Sequence, residues 1–403
     1  MNQTQQQLIK MLSSAIRRGE VNLDLQSSII DWKALIEEAK EHKVTGLAYS
    51  SVKGQLQELE IDQQLLNEWK REVIFSGMNQ QRHVKHSAEI LRLFNEEKIP
   101  VIVLKGIVLR ELFPHPDLRT MSDLDILVHE EDLARIGEFL TTRGFKKLEA
   151  PQEKHDVYYK GSFKVEVHWS LTEEGMFRGG KSYEEGIWER VREVEVLGVK
   201  TLTLGYNDFI FHLIIHMASH TAYHGFGIRY LLDLVVMIEQ QGAFIDWAEV
   251  VRLMDACQVR KYSAVLFKCC EDLFGLEVPT SVANLVEIDP QYIILFEEEI
   301  MNSGVHGYRE GGEILSRQIS YDNTQVSSPF SKLVGLFFPP VEKMSDKYQY
   351  AKKNKLLIPV AWGHHLMVGI CHPTYSFKDK FKLVTTGYRV VKNRQDMLEW
   401  LEL

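Results

Sequence analysis

Strand-like segments in this chain are confined to residues 96–205, with helical patterning on either side. Ile99-Pro-Val-Ile-Val-Leu104 is a short apolar run rich in β-branched residues. It ends at Lys105-Gly106, the pattern of a buried strand running into a turn. Ile107 to Phe113 then fits a helix stopped by Pro114 and Pro116. Leu124-Asp-Ile-Leu-Val128 is a second strand, and 131–145 is a helix with a glycine stop at Gly144. Tyr158 to Trp169 reads as a hairpin turning at Gly161-Ser162, and 194–204 as a shorter one. Strands alternating with helices, followed by antiparallel strands, predict an α+β fold: a small mixed β-sheet core flanked by N-terminal and C-terminal helical regions.

The flanks carry apolar residues at helical spacing over 5–16, 31–52 and 87–98, with Asp31 placed as an N-cap. The same spacing returns over 209–223, 229–240, 247–257 and 261–275. Together these patterns divide the chain into 1–95 (helical), 96–205 (α+β core), 206–300 (helical) and 301–403 (helical tail). The glycine-rich loop 303–312 has no phosphate-loop pattern and reads as a connection or lid.

Composition excludes several classes. With 403 residues, 45% apolar and 26% charged, the chain is an ordinary globular one. Its net charge of −9 provides no general basic field, so a long nucleic acid is not an expected partner. The four cysteines form no CxxC pair, and no apolar run is long enough to span a membrane. The first 20 residues lack the apolar core of a signal peptide. The expected location is therefore cytoplasmic.

Asp123 and Asp125 are two apart on a predicted strand, so their side chains share a face. Two carboxylates so placed repel each other unless a cation lies between them. Mg²⁺ takes carboxylate oxygens together with substrate phosphates. Glu166, in the strand Val165-Glu-Val-His-Trp169, is a third acid able to join the cluster as ligand or base. An isolated D-x-D is more often a pair of surface acids. Here Lys105-Gly106 ends a strand just upstream, and Arg119 and Ser122 flank the acids as candidate phosphate contacts.

These residues resemble a known family. Val103-Leu-Lys-Gly106, Leu118-Arg119 and Met121-Ser-Asp-Leu-Asp-Ile-Leu-Val128 are similar to the uncharacterised branch of the polymerase-β-type nucleotidyltransferases. Val165 to Trp169 resembles that branch's third-acid strand, and His216 to His220 and Arg229 to Asp233 its downstream helices. The resemblance implies Mg²⁺ (or Mn²⁺) on Asp123, Asp125 and Glu166, and an NTP donor. It also associates the branch with modified-peptide and saccharide acceptors. One departure is Lys105-Gly106, where the wider superfamily has Gly-Ser to hold the phosphates. Lys105 offers a point charge instead.

His212, His216, His220 and His224 recur every four residues along one helical stripe. They are expected to be packed, with His216 and His220 as cleft-lining candidates and a zinc site as the minor alternative. His168 shares the face of Glu166 and is placed to orient it. Arg229 and Asp233, four apart, are expected to pair. The lysines and tyrosines of 347–355 fit a solvated helix face. The leading expectation is NMP transfer from an NTP to an acceptor hydroxyl or phosphate. The rivals are a tailoring enzyme acting on a phosphorylated peptide or sugar, and an inactive nucleotide-binding scaffold.

Overall fold

The computed structural model describes residues 1–17, 19, 30–149, 154–173, 175–304, 335, 337–341, 344, 346–371 and 392–403. Beyond Gly304, the expected loop 303–312 lies outside them.

Four helices precede the sheet: α1 (Gln3–Ala15), α2 (Trp32–Glu41), α3 (Thr45–Val52) and α4 (Gln63–Glu96). Asp31 caps α2 as expected, its carboxylate accepting from the Ala34 N–H. Asp62 caps α4 in the same way. The 34-residue α4 is far longer than an isolated helix needs, and it runs against the sheet on one side. Its Phe94 stacks on Phe139 of α6 (Leu133–Thr142) at 4.6 Å between centroids.

Seven strands form one mixed sheet in the order β3-β4-β5-β2-β1-β7-β6. They are β1 (Ile102–Val103), β2 (Asp123–Leu127), β3 (Lys146–Lys147), β4 (His155–Lys160), β5 (Phe163–His168), β6 (Val191–Val196) and β7 (Val199–Leu204). Both predicted hairpins form, β4–β5 around Gly161 and β6–β7 around Gly198, two glycines with φ near +62° and +78°. That left-handed backbone suits glycine because it has no Cβ. The short helix α5 (Gly106–Leu109) follows β1 and passes into a 3₁₀ turn over Arg110–Leu112.

The central pairing positions the chemistry. β2 runs parallel to β5, with Asp123 opposite Lys164, Asp125 opposite Glu166 and Leu127 opposite His168. Strand parity then separates the two faces. Leu124, Ile126, Val165 and Val167 are buried in the core, while the acids point the other way. That other face is closed by α8 (Tyr206–Tyr223) and α9 (Ile228–Gln241). α8 is buried on almost every side, as its apolar composition requires. α10 (Trp247–Ala256) and α11 (Arg260–Phe274) back these helices. One apolar core runs from Leu8 to Leu401, and a small separate cluster forms around Tyr348, Ala351 and Ala361. Cys257, Cys269 and Cys270 are buried free thiols. No helix among the described residues is long and apolar enough to cross a membrane.

Candidate active site

Asp123, Asp125 and Glu166 converge at the head of a cavity of about 240 Å³. Lys105, Gly106, Arg119, Ser122, His216 and His220 line the same space. Every residue expected from the sequence to touch nucleotide or metal is therefore gathered in one place. His168 lies just behind it, its Nε2 3.1 Å from Asp125 Oδ1 and 3.5 Å from Glu166 Oε2.

Three carboxylates this close are held by ammonium groups. Lys164 Nζ bridges Asp123 Oδ2 and Glu166 Oε1 at 2.7 Å each. Lys105 Nζ lies 3.3 Å from Asp125 Oδ1 and 3.0 Å from His216 Nε2. An ammonium only donates, so His216 Nε2 accepts and the ring carries its proton on Nδ1. Burial and the Lys105 charge hold His216 neutral, far below the ordinary histidine value. The Lys105 backbone is at φ 42°, ψ −110°, a region that costs a non-glycine residue about 1–3 kcal/mol. This conformation, set by the tight strand-to-helix turn, accompanies an ammonium directed at the acids.

The electrostatics differ between the acids. Burial raises Asp125 above its ordinary value, Asp123 and Glu166 add to this, and Lys105 and His168 offset it only in part. Burial and Glu166 also push Asp123 up, but Lys164 and Lys105 outweigh them and leave it lowered. For Glu166, burial is overcome by His168, Lys105 and Lys164, which hold it well below the usual carboxylate range.

The donor set could hold a metal ion. Asp125, Glu166 and His168 each offer a ligand atom, all within 4.8 Å of one another. The Lys164 ammonium already bridges carboxylates as a cation would. Asp123 lies beside this group, joined to Glu166 through Lys164, and among the described residues no other group of three such side chains has its donor atoms so close. Among the described residues the histidine ladder forms no such group: the His212 and His216 rings are tilted at 5.9 Å between centroids, and His216 meets His220 edge to face at 4.5 Å.

One sequence expectation meets a different geometry. Asp233 does not pair with Arg229. It accepts from Arg119 Nε at 3.0 Å and Nη2 at 2.6 Å, with both side chains buried. A buried two-pronged pair is worth far more than an exposed i,i+4 contact, so Arg119 takes the carboxylate. Arg229 Nη1 donates instead to the Thr120 carbonyl at 2.7 Å. Arg119 lines the cavity as expected, with its charge already balanced.

Three cavity cations were not anticipated: Lys43, Lys164 and Arg229. Lys164 was legible, because strand parity places it on the face of Glu166. Lys43, at the end of α2, and Arg229, at the start of α9, are brought in by tertiary packing alone. Gln80 of α4 was also missed. Its amide donates to the Met121 carbonyl and accepts from the Met121 N–H, clamping the start of β2.

A mixed sheet carrying paired acids on one strand and a third acid on its neighbour, roofed by helices, defines the nucleotidyltransferase class. Residues 28–275 match the model of a family described as uncharacterised nucleotidyltransferases, and the chain belongs to that family. No curated protein matches the chain. Among solved structures, it is similar to the antibiotic-resistance factor ANT(2'')-Ia at 13% identity. That match covers 47% of this chain and 97% of the other, with a TM-score of 0.32.

Proposed function

We propose that this chain moves a nucleoside monophosphate from an NTP to a hydroxyl or phosphate of an acceptor. The observation that carries the proposal is the register of β2 against β5, which sets Asp125 directly beside Glu166 in a cavity also lined by five cationic side chains. Asp123, Asp125 and Glu166 would hold Mg²⁺ or Mn²⁺. A divalent ion there would polarise the α-phosphate and neutralise its developing charge. His168 Nε2–H donates to Asp125 and fixes its orientation. Lys105 and Lys164 supply positive charge to the phosphates, in place of the Ser hydroxyl of the wider superfamily. Ser122 and the Gly106 backbone border the phosphate path. Gly106 leaves room there, since a Cβ at that position would come within 2.7 Å of Arg119 Nη1. Glu166 would take the proton of an attacking hydroxyl. The helices over the acid face shield this chemistry from water.

The test is pyrophosphate release from each labelled NTP with Mg²⁺ or Mn²⁺ and candidate hydroxyl and phosphate acceptors. Asp125→Asn should slow release by more than about a hundredfold. It should leave the far-ultraviolet circular dichroism spectrum unchanged. Failure of the wild-type protein to bind any NTP by calorimetry, with metal present, would sink the proposal.

A further inference from the structure

A second cavity, of about 520 Å³, adjoins the acid-bearing one. The two share Lys43, Met121, Ser122 and Arg229, so these residues form a common wall. Behind that wall the second cavity is bounded by α2, α3, α4 and the residues just before β2. None of Asp123, Asp125 and Glu166 lines it.

Its chemistry is one-sided. Lys40, Lys43 and Arg229 face Glu72 as the single carboxylate, and Glu72 is already taken by Lys40 at 3.1 Å. Among the described residues neither Lys43 nor Arg229 forms an ion pair. Both are anchored by backbone contacts to one residue: Thr120 Oγ1 donates to the Lys43 carbonyl, and Arg229 Nη1 donates to the Thr120 carbonyl. Arg229 Nε is buried and lacks a hydrogen-bond partner. Burial, and then the Arg229 charge, lower the Lys43 ammonium from its ordinary value, with Asp123 opposing only in part. A concentrated positive pocket on a chain of net charge −9 needs an anion to complete it. The rest of the lining is mostly polar, with Phe75 as its one aromatic side chain. Phe75 of α4 lines the cavity while remaining 64% exposed, and Ile74 and Met78 beside it are also exposed.

We propose that this second cavity is the acceptor site, and that the acceptor is a phosphate monoester on an apolar or aromatic body. Its phosphate sits between Lys43 and Arg229, and its body lies along Phe75. Two cations without an ion-pair partner match a dianion better than a monoanion, which favours phosphate over carboxylate. The shared wall puts the bound phosphate within reach of the NTP held over Asp123 and Asp125. The phosphate oxygen then attacks the α-phosphorus, the bond to the β-phosphate bridge breaks, and pyrophosphate leaves. The product is a phosphoanhydride between acceptor and nucleotide. This assignment rests on the nucleotidyl-transfer proposal.

The test uses phenyl phosphate, inorganic phosphate and benzoate as probes, read by calorimetry on the full chain, with no turnover required. Phenyl phosphate should bind the wild type, and should bind equally well when a non-hydrolysable NTP analogue is present. Lys43→Met should weaken it by about tenfold, the size expected for losing one charge-assisted contact. Phe75→Ala, at an exposed position that cannot unfold the core, should weaken phenyl phosphate by about threefold to tenfold. The same variant should leave inorganic phosphate and NTP binding unchanged. Competition between phenyl phosphate and the NTP analogue would overturn the proposal by merging the two sites. So would equal binding of benzoate, or a Phe75→Ala variant that binds phenyl phosphate as the wild type does. NTP binding measured alone on the same samples separates this outcome from failure of nucleotidyl transfer itself.

Discussion

Removing Asp233 tests how the cavity is assembled. Its carboxylate accepts two hydrogen bonds from Arg119, and each side chain is about 5% exposed. Asp233→Ala leaves a buried guanidinium without its counter-charge. Breaking such a pair on one side costs about 3–5 kcal/mol, a large share of the roughly 5–15 kcal/mol that holds a typical domain folded. If the chain unfolds as one unit, an unfolding entropy of about 0.8 kcal/mol/K gives a fall in Tm of about 4–6 °C. Urea denaturation and calorimetry measure both. The double variant Arg119→Met with Asp233→Leu replaces the pair by apolar side chains of similar volume, and should return to within about 1 kcal/mol of the wild type. A triphosphate analogue should restore more stability to Asp233→Ala than to the wild type, because its phosphates supply the missing anion to a residue that lines the cavity. A loss below about 1 kcal/mol in Asp233→Ala would refute the reasoning. A double variant as unstable as the single one would refute it as well, since the cost would then not come from an unpaired charge.

Gly106→Ala places a Cβ 2.7 Å from Arg119 Nη1 and 3.4 Å from Met121 Cβ. Because Arg119 is pinned by Asp233, the substitution should cost about 1–3 kcal/mol in urea unfolding, and most of that cost should vanish in an Arg119→Met background. Burial, followed by the Lys105 charge, pushes His220 down to about 3 from an ordinary value near 6.5. The folded state resists protonation while the unfolded state accepts it, so stability is full above about pH 6.5 and falls as pH drops toward 3. Between pH 6.5 and 5 the wild type should lose about 1–2 kcal/mol that His220→Phe does not lose, as read by chemical denaturation at each pH. Lys164→Met removes the ammonium that bridges Asp123 and Glu166. Electron paramagnetic resonance should show Mn²⁺ binding to the NTP-free protein tightened by about tenfold, whereas pyrophosphate release falls.

Local rules carried the reading far in the core of the chain. β-branched runs and turn glycines located β1, β2 and both hairpins, and period-two parity put Asp123 with Asp125 and Glu166 with His168 on single faces. That same parity held Lys164, which was overlooked because a lysine in a strand reads as solvent-facing. Helical spacing marked α8 and α9 without saying which face would roof the sheet. The i,i+4 rule misjudged Asp233, since it weighs only partners on the same helix.

The sequence alone determined which residues are acidic, which lie on strands, and that the acids share strand faces, because these follow from local backbone geometry. Only the tertiary structure decided that β2 lies parallel to β5 in the register joining Asp125 to Glu166. It alone brought Lys43, Arg229 and Gln80 around the start of β2 from segments distant in the chain, and gave Asp233 to Arg119. Such choices depend on burial and on competition among partners far apart in sequence, energies that no local pattern contains.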